Sequence, residues 1–160
     1  MRKDPNGSRQ DGFTLVELAV VIVIVAVLGA IALPRFFDER AFAERGYFEE
    51  LAAALRYSRA AAVGTGCPVR FVLTGTDYSA GQQLPAGGRC DPADSSFGQP
   101  LVLADGSAVA GAAPDGVTAA PAATIVFDAL GATGLAGNQT ISVGPHALSV
   151  QAASGYVEVP

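Results

Sequence analysis

The sequence contains little of the chemistry that catalysis and metal binding require. Its 160 residues include one histidine and two cysteines. A structural zinc site needs four ligands, so Cys67, Cys90 and the distant His146 make a poor one. No Ser/His/Asp or Cys/His combination with a convincing spacing is apparent. We therefore expect no enzymatic activity, no catalytic residue, no metal site and no cofactor.

Positive charge is scarce in the C-terminal part of the chain. From Gly64 to Pro160, two arginines, Arg70 and Arg89, stand against seven carboxylates, which gives a net charge of −5. A DNA-binding surface needs several contacts from lysine or arginine to phosphates. Nucleic acid is therefore not an expected partner.

Three aspartates, Asp91, Asp94 and Asp105, fall in stretches that look like loops. Carboxylates in loops are typical calcium ligands, but this spacing does not match a defined calcium-binding loop. We do not predict a calcium site from them.

One long apolar run dominates the N-terminal part. From Phe13 to Leu33 there are 21 residues, and Glu17 is the only charged one. At about 1.5 Å per helical residue the run would reach roughly 31 Å, enough to cross the core of a bilayer. The sequence predicts a disposable polar leader over residues 1–12 and a transmembrane and assembly helix over residues 13–33.

Glu17 needs a partner, because a charge inside such a run costs about 2.5–3.5 kcal/mol on insertion scales. Cleavage between Gly12 and Phe13 would create an α-amine one helical turn away from Glu17. Opposite charges about 4 Å apart attract by roughly 4 kcal/mol at an effective dielectric near 20. We expect Glu17 to pair with the Phe13 amine of the same chain or of a neighbouring one.

The N-terminal motif, Gly12-Phe13-Thr14-Leu15-Val16-Glu17-Leu18, resembles the signal of type IV pilins and type II secretion pseudopilins. The resemblance implies cleavage after Gly12 by a prepilin peptidase, N-methylation of Phe13 and an assembly role for Glu17. It also implies an inner-membrane assembly platform and other pilin or pseudopilin subunits as partners. The alternatives are a secretory signal peptide that ends at Ala30-Ile31-Ala32 and a plain single-pass anchor.

Later segments resemble the GspH/FimT group of minor pilins, and some resemble the minor pilin of mannose-sensitive haemagglutinin (MSHA) pili. The resemblance implies an α+β fold, in which a long N-terminal helix packs on a small antiparallel β-sheet head. It implies a structural minor pilin in a type IV, MSHA-like pilus, with a secretion pseudopilin or a FimT-type DNA-uptake pilin as alternatives. The segments are Leu33-Pro34-Arg35-Phe36-Phe37, Glu44-Arg45-Gly46-Tyr47-Phe48, Ala53-Ala54-Leu55-Arg56-Tyr57-Ser58, Ala61-Ala62-Val63, Gly66-Cys67-Pro68-Val69, Ile125-Val126-Phe127-Asp128-Ala129-Leu130-Gly131 and Gly155-Tyr156-Val157.

The resemblance and the expected export together set the localisation. We expect a single-pass inner-membrane protein with a periplasmic head, which later becomes part of a pilus or pseudopilus. Two cysteines in such a domain most simply form a disulfide, so we expect Cys67 to pair with Cys90; two free thiols are the alternative.

Helical periodicity continues after the apolar run, over residues 34–63. Pro34 is expected to kink the helix, although the helix could instead end at Leu33. An apolar stripe should pack under a sheet, while charged residues cover the other faces, either solvated or in salt bridges to neighbouring subunits. The stripe consists of Phe48, Leu51, Ala52, Leu55 and Ala62, and the charged residues are Glu44, Arg45, Glu49, Arg56 and Arg59.

The β-rich head is expected over residues 64–160, with a hairpin around Gly144-Pro145-His146 and with His146 solvated in its turn. Residues 76–99 and 104–122 look like loops, since they contain few large apolar side chains. The expected strands are Cys67–Thr74, Pro100–Ala104, Ala123–Asp128, Thr140–Val143, Ala147–Gln151 and Tyr156–Val159.

Overall fold

A computed structural model describes residues 14–83, 85–86, 89–91 and 93–159, with the backbone alone described for residues 30–38, 85, 86 and 89. The chain begins with one long helix, α1, over Leu15–Thr65. Thr14 caps it, because its Oγ1 accepts a hydrogen bond of 3.2 Å from the Glu17 N–H. Gly66 follows the helix with a φ of 68°, the left-handed conformation that commonly terminates helices.

The helix does not end before Pro34, because α1 is continuous from Leu15 to Thr65. The alternative of an end at Leu33 is therefore wrong, and the helix extends two residues beyond the predicted Val63. The side chain of Pro34 lies outside the described residues, so the kink stays a prediction.

The chain divides into two compact units between Glu39 and Arg40. The C-terminal unit, Arg40–Pro160, contains the second part of α1 and all the strands. The strands are β1 Val69–Leu73, β2 Asp77–Gln82, β3 Pro85–Ala86, β4 Arg89–Cys90, β5 Gln99–Pro100, β6 Ala110–Ala112, β7 Ala119–Ala120, β8 Ala123–Phe127, β9 Gln139–Val143, β10 His146–Val150 and β11 Val157–Glu158.

These strands form antiparallel sheets. The first sheet has the order β5-β2-β1-β8, with β6 also paired to β2. The second has the order β11-β10-β9-β7, and β3 pairs with β4 by itself. One helix followed by antiparallel sheets confirms the predicted α+β class. The predicted hairpin is also present as β9 and β10, which pair from His146↔Val143 to Val150↔Gln139.

The apolar stripe of α1 forms the core together with one face of each sheet. All five predicted stripe residues are buried, as are Tyr47, Ala54 and Ser58 on the same helix. Ser58 is the one buried polar residue among those described, and its Oγ donates a 2.7 Å hydrogen bond to the Ala54 carbonyl oxygen. In β1, the side chains of Val69, Phe71 and Leu73 alternate into this core. Because successive side chains of a strand point to opposite faces, every second residue of β1 faces the helix.

The prediction of loops over 76–99 and 104–122 was wrong in part. β2 is a six-residue strand that pairs with β1 along Val69↔Gln82 to Leu73↔Tyr78. Its sequence, Asp77-Tyr78-Ser79-Ala80-Gly81-Gln82, buries only Tyr78 and Ala80, so it has almost no β-type pattern of its own. Pairing with an apolar neighbouring strand decides its structure, because strand propensity depends on context.

His146 was expected to be solvated in a turn, and that expectation was wrong. It is the first residue of β10 and is half-buried. Its ring packs against Phe48 of α1, with 5.3 Å between the ring centroids.

The predicted disulfide is present between Cys67 and Cys90, whose Cα atoms lie 5.3 Å apart. It connects the segment just after α1 to β4, so the alternative of two free thiols is wrong. The bond closes the segment that contains β1 and β2, and a disulfide stabilises such a loop by restricting the unfolded chain.

Two tyrosines meet at the edge of the core beside Glu50. The Tyr78 hydroxyl donates a hydrogen bond of 2.5 Å to Glu50 Oε1, and its ring stacks on Phe71 at 5.5 Å. Burial raises the pKa of Tyr78 strongly, and the hydrogen bond to Glu50 adds to this effect. The hydroxyl of Tyr47 is buried and has no hydrogen-bond partner among the described residues. Of these two tyrosines, only Tyr78 therefore uses its hydroxyl to stabilise the fold.

We predict that replacing both cysteines with serine lowers the free energy of unfolding by about 3 kcal/mol, from the entropy of the opened loop. Urea denaturation of the double variant Cys67→Ser/Cys90→Ser would measure the loss. Wild-type protein kept reduced is the control and should match it. An unchanged midpoint would contradict a stabilising role for this bond.

We also predict opposite outcomes for two tyrosine substitutions. Tyr78→Phe should cost about 1–2 kcal/mol, because it removes a hydrogen bond to a carboxylate, whereas Tyr47→Phe should be neutral or stabilising. Because Tyr78 holds its proton more tightly when folded, its contribution is complete below about pH 10 and is lost as the pH rises further. Denaturation at neutral and alkaline pH tests both points, and equal losses from the two variants would contradict the assignment.

Candidate functional site

The most unusual surface in the described chain is the first part of α1. Every described residue from Thr14 to Gly29 is exposed. Large apolar side chains on this stretch are 46–83% exposed, a continuous apolar surface of a kind that marks interaction or membrane sites. They are Leu15, Val16, Leu18, Val20, Val21, Ile22, Val23, Ile24, Val25, Val27 and Leu28.

Glu17 is the single charged residue on this surface, and the structure gives it a position that the sequence analysis missed. It is the third residue of α1, where an acidic side chain is favourable beside the helix N-terminus. Thr14 and Glu17 also have the Thr-x-x-Glu spacing of a capping box, and that spacing could have been recognised from the sequence. The position beside the helix N-terminus favours the Glu17 carboxylate independently of any pairing with an amine.

The other two residues of the predicted processing site, Gly12 and Phe13, lie outside the described residues. The pairing of Glu17 with a Phe13 amine is therefore untested and stays a prediction.

Within the described residues, no helix is both long enough and apolar enough to cross a membrane. The predicted span over 13–33 includes Phe13 and the side chains of residues 30–33, which lie outside those described.

The three aspartates considered for calcium each accept hydrogen bonds from a residue two positions later. Asp91 Oδ1 accepts from the Ala93 N–H, and Asp94 Oδ1 accepts from Ser96. Asp105 Oδ1 accepts from both the N–H and the hydroxyl of Ser107, and these bonds lower the pKa of Asp105. In the described part of the chain, no group of three or more potential ligands is placed to hold a metal ion.

The helix arginines do not simply form a solvated face. Arg59 Nε donates 2.9 Å and 3.3 Å hydrogen bonds to the carbonyl oxygens of Ser154 and Gly131. Arg56 Nη2 donates a longer bond of 3.5 Å to the Val157 carbonyl oxygen. The one salt bridge among the described residues joins Arg40 and Glu44 within α1, at 3.2 Å. Arg56 and Arg59 therefore attach β11, the turn before it and the turn after β8 to the helix.

Arg70, the described cation of the β-rich part, is also engaged within the chain. Its guanidinium lies 4.8 Å from the centroid of the Phe97 ring, and it donates a hydrogen bond to the Ser96 carbonyl oxygen. The side chain of Arg89 lies outside the described residues. The described part of this surface thus offers no cluster of cations for a nucleic-acid backbone.

Two protein-family models match the two parts of the chain. Residues 48–156, more than half of the chain, match the family model of the type II transport protein GspH. Residues 7–33 match the model of the prokaryotic N-terminal methylation motif, which includes Gly12, Phe13 and Glu17.

A curated relative is the type IV narrow pilus major component PilA5 of Thermus thermophilus, 47% identical over 62 residues. The match covers 38% of this chain and 53% of the relative, so the chain spans about half the length of that protein.

Two crystal structures of the type IV minor pilin FimU from Pseudomonas aeruginosa PAO1 resemble the fold. One has a TM-score of 0.47 at 19% identity and covers 70% of this chain and 88% of FimU. The other has a TM-score of 0.49 at 18% identity and covers 77% and 89%.

The family models cover an exposed apolar helix that begins at a methylation motif and a β-rich unit built on the same helix. The chain therefore belongs to the GspH family, within the structural type IV pilins and pseudopilins.

Proposed function

We propose that the chain is a minor pilin or pseudopilin that is cleaved after Gly12 and joins a filament through the helix that starts at Phe13. The observation that carries the proposal is the exposed apolar surface over Leu15–Leu28. Burying one such side chain is favourable by about 1.5–3 kcal/mol, so eleven of them give a strong drive towards other apolar helices. This part of the helix is the assembly surface, and the C-terminal unit carries the exposed head.

Before assembly, lipid covers this surface. In the proposal the helix is held in the inner membrane over residues 13–33, the leader 1–12 is removed by a prepilin peptidase, and the C-terminal unit lies in the periplasm. The Cys67–Cys90 disulfide supports an oxidising compartment for that unit. The helix then passes through an inner-membrane assembly platform into the filament, where neighbouring helices replace lipid.

In the proposal, Glu17 directs the passage of the helix from lipid into the filament. The N-terminal methylation motif covers Glu17 and the expected Phe13 amine, which supports a charge pair between them. The position of Glu17 in the first turn of α1, near the helix N-terminus, also supports a pairing with an amine on the same or a neighbouring chain.

For the type of filament, we propose a type IV pilus similar to MSHA pili. The resemblance of residues 33–37, 44–46 and 66–69 supports it, as does a relative that is a pilus component. The second candidate is the pseudopilus of a type II secretion system, which the match of residues 48–156 to GspH favours. A DNA-uptake role is weaker, because Arg59 and Arg70 bind groups of their own chain.

We predict that the mature protein begins at Phe13 and carries one added methyl group on its α-amine. Mass spectrometry of protein purified from filaments would measure both, and the disulfide at the same time. A mature chain that begins at any other residue would contradict the proposed processing.

We predict that Glu17→Ala is inserted and cleaved but is absent from purified filaments, because its charge pair is lost. Glu17→Gln is the matched control, since glutamine also suits this helix position but carries no charge. Both variants should fail to assemble, while Glu17→Asp should retain part of the incorporation into filaments. If Glu17→Gln assembled normally, a capping role would replace the charge pair.

A further inference from the structure

Two Asp-Gly pairs lie in turns of the C-terminal unit. Asp105-Gly106 is in the segment between β5 and β6, and Asp115-Gly116 is in the segment between β6 and β7. All four residues are exposed, and the two glycines have positive φ angles of 84° and 77°. A Cβ atom on either glycine would meet nothing within 4 Å. The same dipeptide therefore occurs twice at similar exposure, and the two copies differ in their hydrogen bonds.

An Asp-Gly pair can rearrange without an enzyme, because glycine has no Cβ to obstruct the approach of its nitrogen. The glycine nitrogen attacks Cγ of a neutral aspartic acid and closes a succinimide ring. The amide hydrogen and the carboxyl hydroxyl leave as water. A second water then opens the ring at the original backbone carbonyl, which gives isoaspartate, whose main chain runs through Cβ. The reaction needs a neutral carboxyl, a glycine nitrogen that is free to attack, and a backbone that can rotate.

The turn at Asp105 opposes each of these requirements. Asp105 Oδ1 accepts hydrogen bonds of 2.9 Å and 2.6 Å from the N–H and the hydroxyl of Ser107, and these bonds lower the pKa of Asp105. A lower pKa leaves a smaller neutral fraction of the carboxyl at any pH above it. The Gly106 N–H donates a 3.0 Å bond to the Leu103 carbonyl oxygen, and the Leu103 N–H donates a 2.8 Å bond to the Ser107 carbonyl oxygen. The carboxyl, the nitrogen and the backbone of this pair are therefore all held.

The turn at Asp115 is held by fewer bonds. Within the part of the chain that the structure describes, neither the Asp115 carboxylate nor the Gly116 N–H has a hydrogen-bond partner. One backbone bond of 3.0 Å closes the turn, from the Val117 N–H to the Pro114 carbonyl oxygen. Arg40 Nη2 donates a longer bond of 3.4 Å to the Gly116 carbonyl oxygen, which takes no part in the rearrangement. Both reacting groups are thus unengaged, and a single backbone hydrogen bond opposes rotation.

We propose that Asp115-Gly116 is a site of spontaneous modification, at which aspartate rearranges through a succinimide to isoaspartate. The hydrogen bonds of Ser107 and of the surrounding backbone protect Asp105-Gly106 from the same reaction. The reactants are the carboxyl and the amide of the chain itself, together with water. The inference concerns the C-terminal unit alone and does not depend on the proposed function.

The modification would change how this turn is attached to α1. Isoaspartate places one additional carbon atom in the main chain before Gly116, so the Val117 N–H and the Pro114 carbonyl oxygen no longer span a four-residue turn. The Gly116 carbonyl oxygen, which accepts the bond from Arg40, belongs to the same turn. Val117 itself is buried in the core, so the displaced turn pulls on a core residue. The proposed rearrangement therefore weakens the contact between Arg40 of the helix and this turn.

Peptide mapping of the full-length protein tests the proposal. Protein purified in detergent is aged at mildly acidic and at neutral pH, and electron-transfer fragmentation distinguishes isoaspartate from aspartate of the same mass. Folded protein should contain about tenfold more isoaspartate at Asp115 than at Asp105, the ratio that corresponds to about 1.4 kcal/mol of protection by hydrogen bonds. Protein unfolded in urea should react at similar rates at both pairs, because those hydrogen bonds are then absent.

Two variants separate the reaction from its protection. Ser107→Ala removes the hydroxyl that binds Asp105 and should raise the isoaspartate at Asp105 severalfold while leaving that at Asp115 unchanged. Asp115→Glu should abolish the product at this position, since glutamate would have to close a larger ring. Equal amounts at the two pairs of the folded protein, or more at Asp105, would overturn the proposal. Absence of isoaspartate at Asp115 in aged folded protein would overturn it as well, and an unchanged amount at Asp105 in Ser107→Ala would contradict the protective role of Ser107.

Discussion

The packing of the α1 stripe on the two sheets is the contact on which the C-terminal unit depends. Leu51 and Leu55 are fully buried against strands whose inward residues are mostly valine, alanine and isoleucine. Many strands have only two or three residues, and short strands with one apolar face cannot enclose a core by themselves. The helix stripe covers the apolar faces of both sheets, so the unit folds around it.

The two parts of α1 therefore differ in what surrounds them. In the C-terminal unit, α1 buries its apolar stripe and exposes charged residues, as an amphipathic helix does. Over Leu15–Leu28 the same helix is apolar on all sides except at Glu17, and nothing in the described chain covers it. A helix that is hydrophobic all round is stable only among other apolar groups. Lipid and neighbouring helices would both supply such surroundings, so one element suits the proposed passage from a membrane into a filament.

Most side-chain polar contacts in the C-terminal unit hold loops and turns in position, and few of them are salt bridges. Arg59 and Arg56 bind backbone carbonyl oxygens, and several aspartates accept hydrogen bonds from their own turns. An exposed ion pair contributes little because water screens it, whereas a partly buried arginine at a carbonyl satisfies a group that would otherwise lose hydrogen bonds. The turns around Leu130 and Leu103 gain defined positions in this way, although neither has a hydrophobic core of its own.

Local patterns in the sequence determined the apolar run, the helix stripe, the hairpin β9–β10 and the cysteine pair, because periodicity, turn residues and export chemistry act over short distances. The capping relation of Thr14 and Glu17 was also visible there. Pairing of β2, the contact of His146 with Phe48 and the attachment of Arg59 to two distant turns were decided by the tertiary structure alone. The residues around these contacts carry no local signal in the sequence. The position of a polar strand or of a helix arginine depends on its partners, and those of Arg59 lie 72 and 95 residues away along the chain.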